Sequence, residues 1–154
     1  MTDSDNIQQP CTEMIILVTP EMANFNGRMH GGELLKILDR VAYTCASRYC
    51  GAYVVTISVD KVTFKQPIFI GELVTFLASV NYTGKTSLEV GIKVIAEDIK
   101  KRMVRHSNTS YFTMIAMDEE GNKVKVPPLI IKNDVQKDRF EKAKMRRLKR
   151  LETN

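Results

Sequence analysis

The chain has no tryptophan, only two histidines and only three cysteines. Cys11, Cys45 and Cys50 form an odd set without CxxC or paired Cys/His spacing, which argues against a metal site and a disulfide framework and for a reducing compartment. Cys45 falls on an apolar helix face and reads as a packing residue. His30 and His106 stand far apart in sequence and meet only through the fold. No apolar run approaches the ~20 residues of a membrane span, and Met1 to Pro10 is polar and acidic, unlike a signal peptide. The expectation is a cytoplasmic protein with no membrane span and no bound metal.

Net positive charge is confined to one region. The formal net charge is +5, yet Lys132 to Leu151 alone holds nine Lys/Arg against three Asp/Glu, so the rest of the chain is close to neutral. That stretch reads as a basic C-terminal helix, capped by Asn133 or Asp134 and solvated along most of its surface. It can attract anions at long range. It lacks interleaved aromatic residues beyond Phe140, so nucleic acid is not the expected partner.

The chain's 154 residues, 44% hydrophobic and 27% charged, suit one ordinary globular domain. The division is a domain over 1–131 followed by a basic helical extension over 132–154. The domain is organised around Gly27 to Tyr49. Leu34, Ile37, Leu38, Val41, Cys45 and Tyr49 recur at helical spacing and define a core face. Gly31 and Gly32 open the helix, with Glu33 in its first turn where a negative charge suits the dipole. The glycine pair serves either a turn that needs positive φ or the close approach of an oxygen gaining charge to unpaired first-turn N–H groups. Asp39 lies off the core face, on a flank with Leu35, Ala42 and Ala46. It is read either as a catalytic carboxylate or as an ion-pair partner of Arg40, Arg28 or a distant lysine.

The remainder reads as sheet. Thr12 to Val18 is a strand closed by Thr19-Pro20, and Glu21 to His30 has turn composition. Tyr53 to Phe64 is strand-like, with an interruption near Asp60-Lys61 that suggests a bulge. Leu73 to Tyr82 places Val74, Phe76, Ala78, Val80 and Tyr82 on one face. Leu88 to Glu97 does the same for Leu88, Val90, Ile92, Val94 and Ala96, and Met103 to Met117 is a long last strand. One strand, one long helix and four strands joined by short turns predict an α+β fold, an antiparallel sheet of about five strands curled around the helix.

Candidate anion-binding groups are Lys85, Thr86 and Ser87 at a turn, with Arg105 and His106 on the last strand. A distance argument adds to this. Gly31 and Asp39 stand about 12 Å apart along one helix, too far to act on one carbonyl. If both are catalytic, the Asp of one chain meets the glycine amides of another, and the sites lie at a dimer interface.

The runs Asn24 to Asp39 (NFNGRMHGGELLKILD), Ser58 to Pro67 (SVDKVTFKQP), Gly84 to Val90 (GKTSLEV) and Asp118 to Gly121 (DEEG) resemble the hotdog-fold acyl-CoA thioesterases of the YciA-like and brain-type acyl-CoA hydrolase groups. The resemblance covers about residues 12 to 130. It implies a sheet wrapped around a central helix, and a homo-oligomer that is a hexamer built as a trimer of dimers. It also implies hydrolysis of acyl-CoA to a free acid and CoA, with no cofactor beyond the CoA of the substrate. The family's helix aspartate maps onto Asp39, and its glycines onto Gly31 and Gly32. His30 either orients substrate or caps the helix. Asn24, Arg28, Lys85, Thr86, Ser87, Arg105 and His106 are the expected substrate-binding positions. Arg28 departs from the Asn or Asp common in relatives, and would contact CoA phosphates or contribute nothing. Two other readings stand beside this one: a hotdog dehydratase using His30 with Asp39, and a non-catalytic protein binding CoA or another anionic ligand.

Overall fold

The computed structural model describes residues 10–153. Strand β1 (Cys11–Leu17) leads through a 3-10 turn (Pro20–Met22) to helix α1 (Gly31–Cys50). Strands β2 (Tyr53–Asp60), β3 (Leu73–Thr83), β4 (Ser87–Asp98) and β5 (Met103–Met117) follow, and helix α2 (Asp134–Glu152) closes the chain. The sheet order is β1-β3-β4-β5-β2 with every neighbouring pair antiparallel. The α+β arrangement is therefore the expected one, with β1 and β2 as the two edges.

Helix α1 lies in the hollow of the sheet because its apolar stripe matches the alternation of the middle strands. Leu38, Val41, Ala42, Cys45 and Ala46 are fully buried, against Phe76 of β3, Val90 and Ile92 of β4, and Phe112 and Met114 of β5. Burying each of the larger side chains is worth about 1.5–3 kcal/mol. The helix ends at Gly51, which adopts the left-handed conformation (φ 63°) and donates its N–H to the Ser47 carbonyl.

Three bulges depart from the expected alternation; in β5 the extra residue is Ser107, opposite Val94 and Ile95. In β3 the register shifts between Val80 and Tyr82, so Asn81 is the extra residue. Tyr82 thus leaves the Val74–Val80 face and turns to the opposite side, where its ring lies 5.0 Å from Phe140 of α2. The Asn81 amide occupies the space where a side chain at Gly91 would project, and Tyr111 crowds the same point from β5. In β2 the shift falls between Thr56 and Ser58, with Ile57 as the extra residue. The strand simply ends at Asp60, and Lys61 leaves it with φ 31°.

The C-terminal helix is exposed along most of its surface, as expected, but one side of it is docked. Asn133 caps it, its side chain accepting the Gln136 N–H at 2.9 Å. The helix packs across the outer face of the sheet. Ala143 is buried, Arg146 forms a two-pronged ion pair with buried Glu89 (3.0 and 2.6 Å), Arg147 donates to the Tyr82 hydroxyl (3.0 Å), and Arg150 pairs with Asp60 (3.4 Å). Arginine suits this role because its alkyl stem covers apolar surface while its planar head meets a carboxylate.

Candidate active site

The segment entering α1 is braced by the loop before β3. His30 N–H donates to Met22 O, Met29 N–H to Ile68 O, and Ile70 N–H to Gly27 O. Glu72 holds that loop. Its carboxylate accepts the Phe69 N–H (2.7 Å) and two bonds from Arg105 (both 2.6 Å), while Arg105 also reaches Pro67 O (2.6 Å). Burial works to raise the Glu72 pKa, but the Arg105 guanidinium and the Phe69 N–H outweigh it and hold the carboxyl below its ordinary value.

Helix α1 begins at Gly31, and its first intrahelical bond runs from Leu34 N–H to His30 O. The amides of Gly31, Gly32 and Glu33 therefore precede the hydrogen-bond ladder and point out of the helix end. His30 is the N-cap residue, but its side chain makes no capping bond. Beside Gly31 is an apolar pocket of about 220 Å³, walled by Met29, Leu34, Phe64, Pro67 and Ile68. A methyl group on Gly31 would stand 3.3 Å from the Phe64 ring, so the glycine is what lets the ring lie against the helix end.

Asp39, two turns further on, lies in a separate open cleft of about 540 Å³ with Met14, Tyr43, Tyr53 and Thr56. The Thr56 hydroxyl donates to Asp39 Oδ1 at 2.7 Å. Neither arginine nor lysine of this chain pairs with Asp39 among the described residues. In the single chain the carboxylate is exposed, so the cover on a second side that its neighbours suggested is not supplied by this chain. Thr56 escaped the sequence reading. Its signal was a hydroxyl two residues after buried Val54, on a face where alternation calls for an apolar residue.

The remaining expected positions scatter. Asn24 shapes its own turn, its side-chain oxygen accepting the Asn26 and Arg28 N–H groups (3.0 and 3.1 Å). This leaves its amide NH2 free to donate. Arg28 reaches over the Phe69 ring, 5.9 Å from its centre. Lys85, Thr86 and Ser87 form the β3–β4 turn, where Lys85 O accepts the Val126 N–H and Thr86 O the Ala116 N–H. Arg105 sits at the other end of the β4–β5 hairpin, opposite Ala96, whereas Ser87 opposes Ile115. Nine residues of strand separate the two ends, roughly 30 Å. One chain therefore does not gather these groups around a single ligand. His106 bonds through Nε2 with Asn108 O (2.9 Å) and Thr109 Oγ1 (2.7 Å) and lines a third cleft, beneath α2.

The profile of the family described as Thioesterase superfamily matches residues 26–102, half of the chain. The chain belongs to that family. It is similar to Protein VdlD of Helicobacter pylori, 55% identical over 134 residues that cover 87% of this chain and 76% of the relative. Among solved structures it resembles the acyl-CoA hydrolase of Staphylococcus aureus, described in complex with butyryl coenzyme A, coenzyme A and coenzyme A disulfide. The two are 31% identical with a TM-score of 0.83, over 94% of this chain and 90% of that one. It also resembles an apo-hexameric acyl-CoA thioesterase, 30% identical with a TM-score of 0.89, over 94% of this chain and 92% of that one. Variants of the S. aureus enzyme have been solved with an aspartate, an asparagine or a threonine changed to alanine. The hotdog fold and the thioesterase assignment that the motifs implied are thus borne out for this chain. Among the described residues no helix is long and apolar enough to cross a membrane.

Proposed function

We propose that this thioesterase cleaves acyl-CoA to a carboxylic acid and CoA, with Asp39 activating water. The observation that carries the reading is the held carboxylate. Thr56 fixes one oxygen of Asp39, while the other has no partner among the described residues and faces an open cleft. The intervals support it too. The asparagine, aspartate and threonine replaced in the S. aureus enzyme are spaced as Asn24, Asp39 and Thr56 are here.

In the reaction, water attacks the thioester carbonyl carbon as Asp39 takes its proton. Charge gathers on the carbonyl oxygen, where the amides of the partner subunit's Gly31 and Gly32 stabilise it, with the partner subunit's Asn24 as a further donor. The tetrahedral adduct then expels the CoA thiolate, which takes up a proton. The two stations cannot come from one chain, since eight residues of helix separate them. An assembly is therefore part of the mechanism. The chain is a homo-oligomer of dimers, and the hexamer arranged as a trimer of dimers is the form that fits its hexameric structural relative. The chemistry needs no metal or redox group, because the carboxylate and the helix-end amides supply proton transfer and charge stabilisation. Three free thiols accord with a cytoplasmic location.

The decisive test is Asp39→Asn. It leaves the shape of the cleft intact and removes the base, so turnover collapses while CoA still binds. Full activity in the folded variant overturns the reading.

A further inference from the structure

In a regular strand Ser107 and Asn108 would face opposite sides of the sheet. The bulge at Ser107 breaks that alternation, and both side chains are buried, each 1% exposed. Ser107 Oγ donates to Gln66 O at 3.1 Å, and Asn108 Nδ2 donates to Thr63 O at 2.6 Å. Arg105 donates to Pro67 O at 2.6 Å. Three side chains close together on β5 thus hold three carbonyls of the segment between β2 and β3. Residues 61–67 lie in no helix or strand, so these side-chain bonds do for the segment what a ladder does for a strand.

Thr63 and Gln66 bracket Phe64, whose ring lies against Gly31. That ring is 53% exposed, so burial alone does not hold it there, and its place follows from the backbone that carries it. The same segment supplies Gln66, Pro67 and Ile68 to the pocket beside Gly31. An apolar wall next to the first-turn amides of α1 keeps water from competing for them, and donors so shielded interact more strongly with a gathering negative charge. The clamp also has a cost. Asn108 Oδ1 is buried and accepts no hydrogen bond among the described residues, whereas leucine, of similar shape, would leave no such atom. The fold tolerates an unsatisfied acceptor and keeps a donor on Thr63.

We propose that Asn108 is a positioning residue for thioester cleavage: by holding Thr63 it seats the Phe64 ring against Gly31, and the ring shields the helix-end amides from water. The inference rests on the function proposed above and adds to it a residue outside the reacting groups. Because the oxyanion forms only on the way through the transition state, loss of the clamp lowers kcat and leaves KM nearly unchanged.

Asn108→Leu removes the donor and the unsatisfied acceptor together. The expected result is a kcat lowered roughly tenfold, with KM within about twofold of wild type and the melting temperature little changed. Phe64→Ala should cost about as much, and Asn108→Leu added to it should cost nothing further, because the ring through which Asn108 acts is gone. A second readout needs no turnover. The chain has no tryptophan, so Phe64→Trp places a single indole at the helix end. Adding Asn108→Leu should speed its anisotropy decay and raise its quenching by acrylamide. Ser107→Ala, which removes the companion bond, should show the same changes to a smaller degree, and it carries the test if Asn108→Leu does not fold. Wild-type kcat in folded Asn108→Leu, fully additive losses in the double variant, or an indole left unmoved each overturns the proposal. If the wild-type chain cleaves no acyl-CoA, the reaction proposed above fails, whereas the indole still decides whether Asn108 seats the ring at the helix end.

Discussion

The Thr56 hydroxyl donates a 2.7 Å hydrogen bond to Asp39 Oδ1, joining edge strand β2 to the middle of α1. The bond fixes the direction of a carboxylate that would otherwise rotate freely in an open cleft, and Oδ2 has no partner among the described residues. Asp39→Asn should lower kcat by at least about 100-fold. Thr56→Ala, which removes only the orienting bond, should lower it by roughly tenfold. Because both residues are exposed, melting temperatures should stay nearly constant. Initial rates of CoA release, read beside thermal melts, check both.

Gly31→Ala tests the other half-site. The added methyl meets the Phe64 ring at 3.3 Å, so the ring must shift by a few tenths of an ångström at the end where the amides point outward. The expected outcome is a lower kcat, with folding little affected because alanine favours a helix. Pairing Gly31→Ala with Phe64→Leu, which frees the space, should restore part of the rate. Unrelieved loss in the double variant would show that the methyl acts on something other than the ring.

Glu72 makes stability depend on acid. Its carboxyl lies below the ordinary value when folded because Arg105 and the Phe69 N–H outweigh burial. The stabilisation is therefore fully present above the unfolded value of about 4.3 and is lost as pH falls through the lower folded value. Glu72→Gln should cost about 2–3 kcal/mol near neutrality, a figure reduced for the partial exposure of Arg105. Its melting temperature should also respond less than wild type to acid below pH 4. Melts across pH 2.5 to 7 provide the comparison.

Thiol chemistry should be strongly uneven. Burial pushes Cys45 up to about 12 and Cys50 up to about 11, whereas Cys11 is exposed at the start of an edge strand. At pH 8, N-ethylmaleimide should label Cys11 first and leave Cys45 unmodified until the chain unfolds. Peptide mass spectrometry over a labelling time course reads this directly. The order also bears on assays that detect CoA with a thiol reagent, since Cys11 adds a background equivalent.

Docking of α2 depends on small contacts with little slack. Ala143 is 1% exposed, so Ala143→Glu would bury an unpaired charge. A loss of about 3 kcal/mol or detachment of the helix is expected. Limited proteolysis near residues 130–133 distinguishes the two.

The central helix, its glycine start and the hairpin order were legible because each has a strong local period or a turn residue that few conformations accept. Asp39 stood out for the same reason, as a carboxylate away from the polar face. What stayed hidden depended on contacts distant in sequence. Tyr82 fits the alternation of β3 perfectly well on paper, and only the extra residue at Asn81 turns it toward Phe140. Thr56 shows in sequence only a hydroxyl where alternation calls for an apolar residue, and nothing there says that it meets Asp39, 17 residues away. The arginines of α2 look like solvated charges in sequence, since the carboxylates that fix them, Glu89 and Asp60, lie 57 and 90 residues away.

Helix α2 also has a consequence for how copies of this chain can meet. With α1 beneath the middle strands and α2 above them, both faces of that part of the sheet are partly covered. The rims formed by the edge strands β1 and β2 are where another strand could add to the sheet. The same basic helix that looked like an appendage acts as a lid on the sheet's outer surface, leaving the Asp39 rim as the open side.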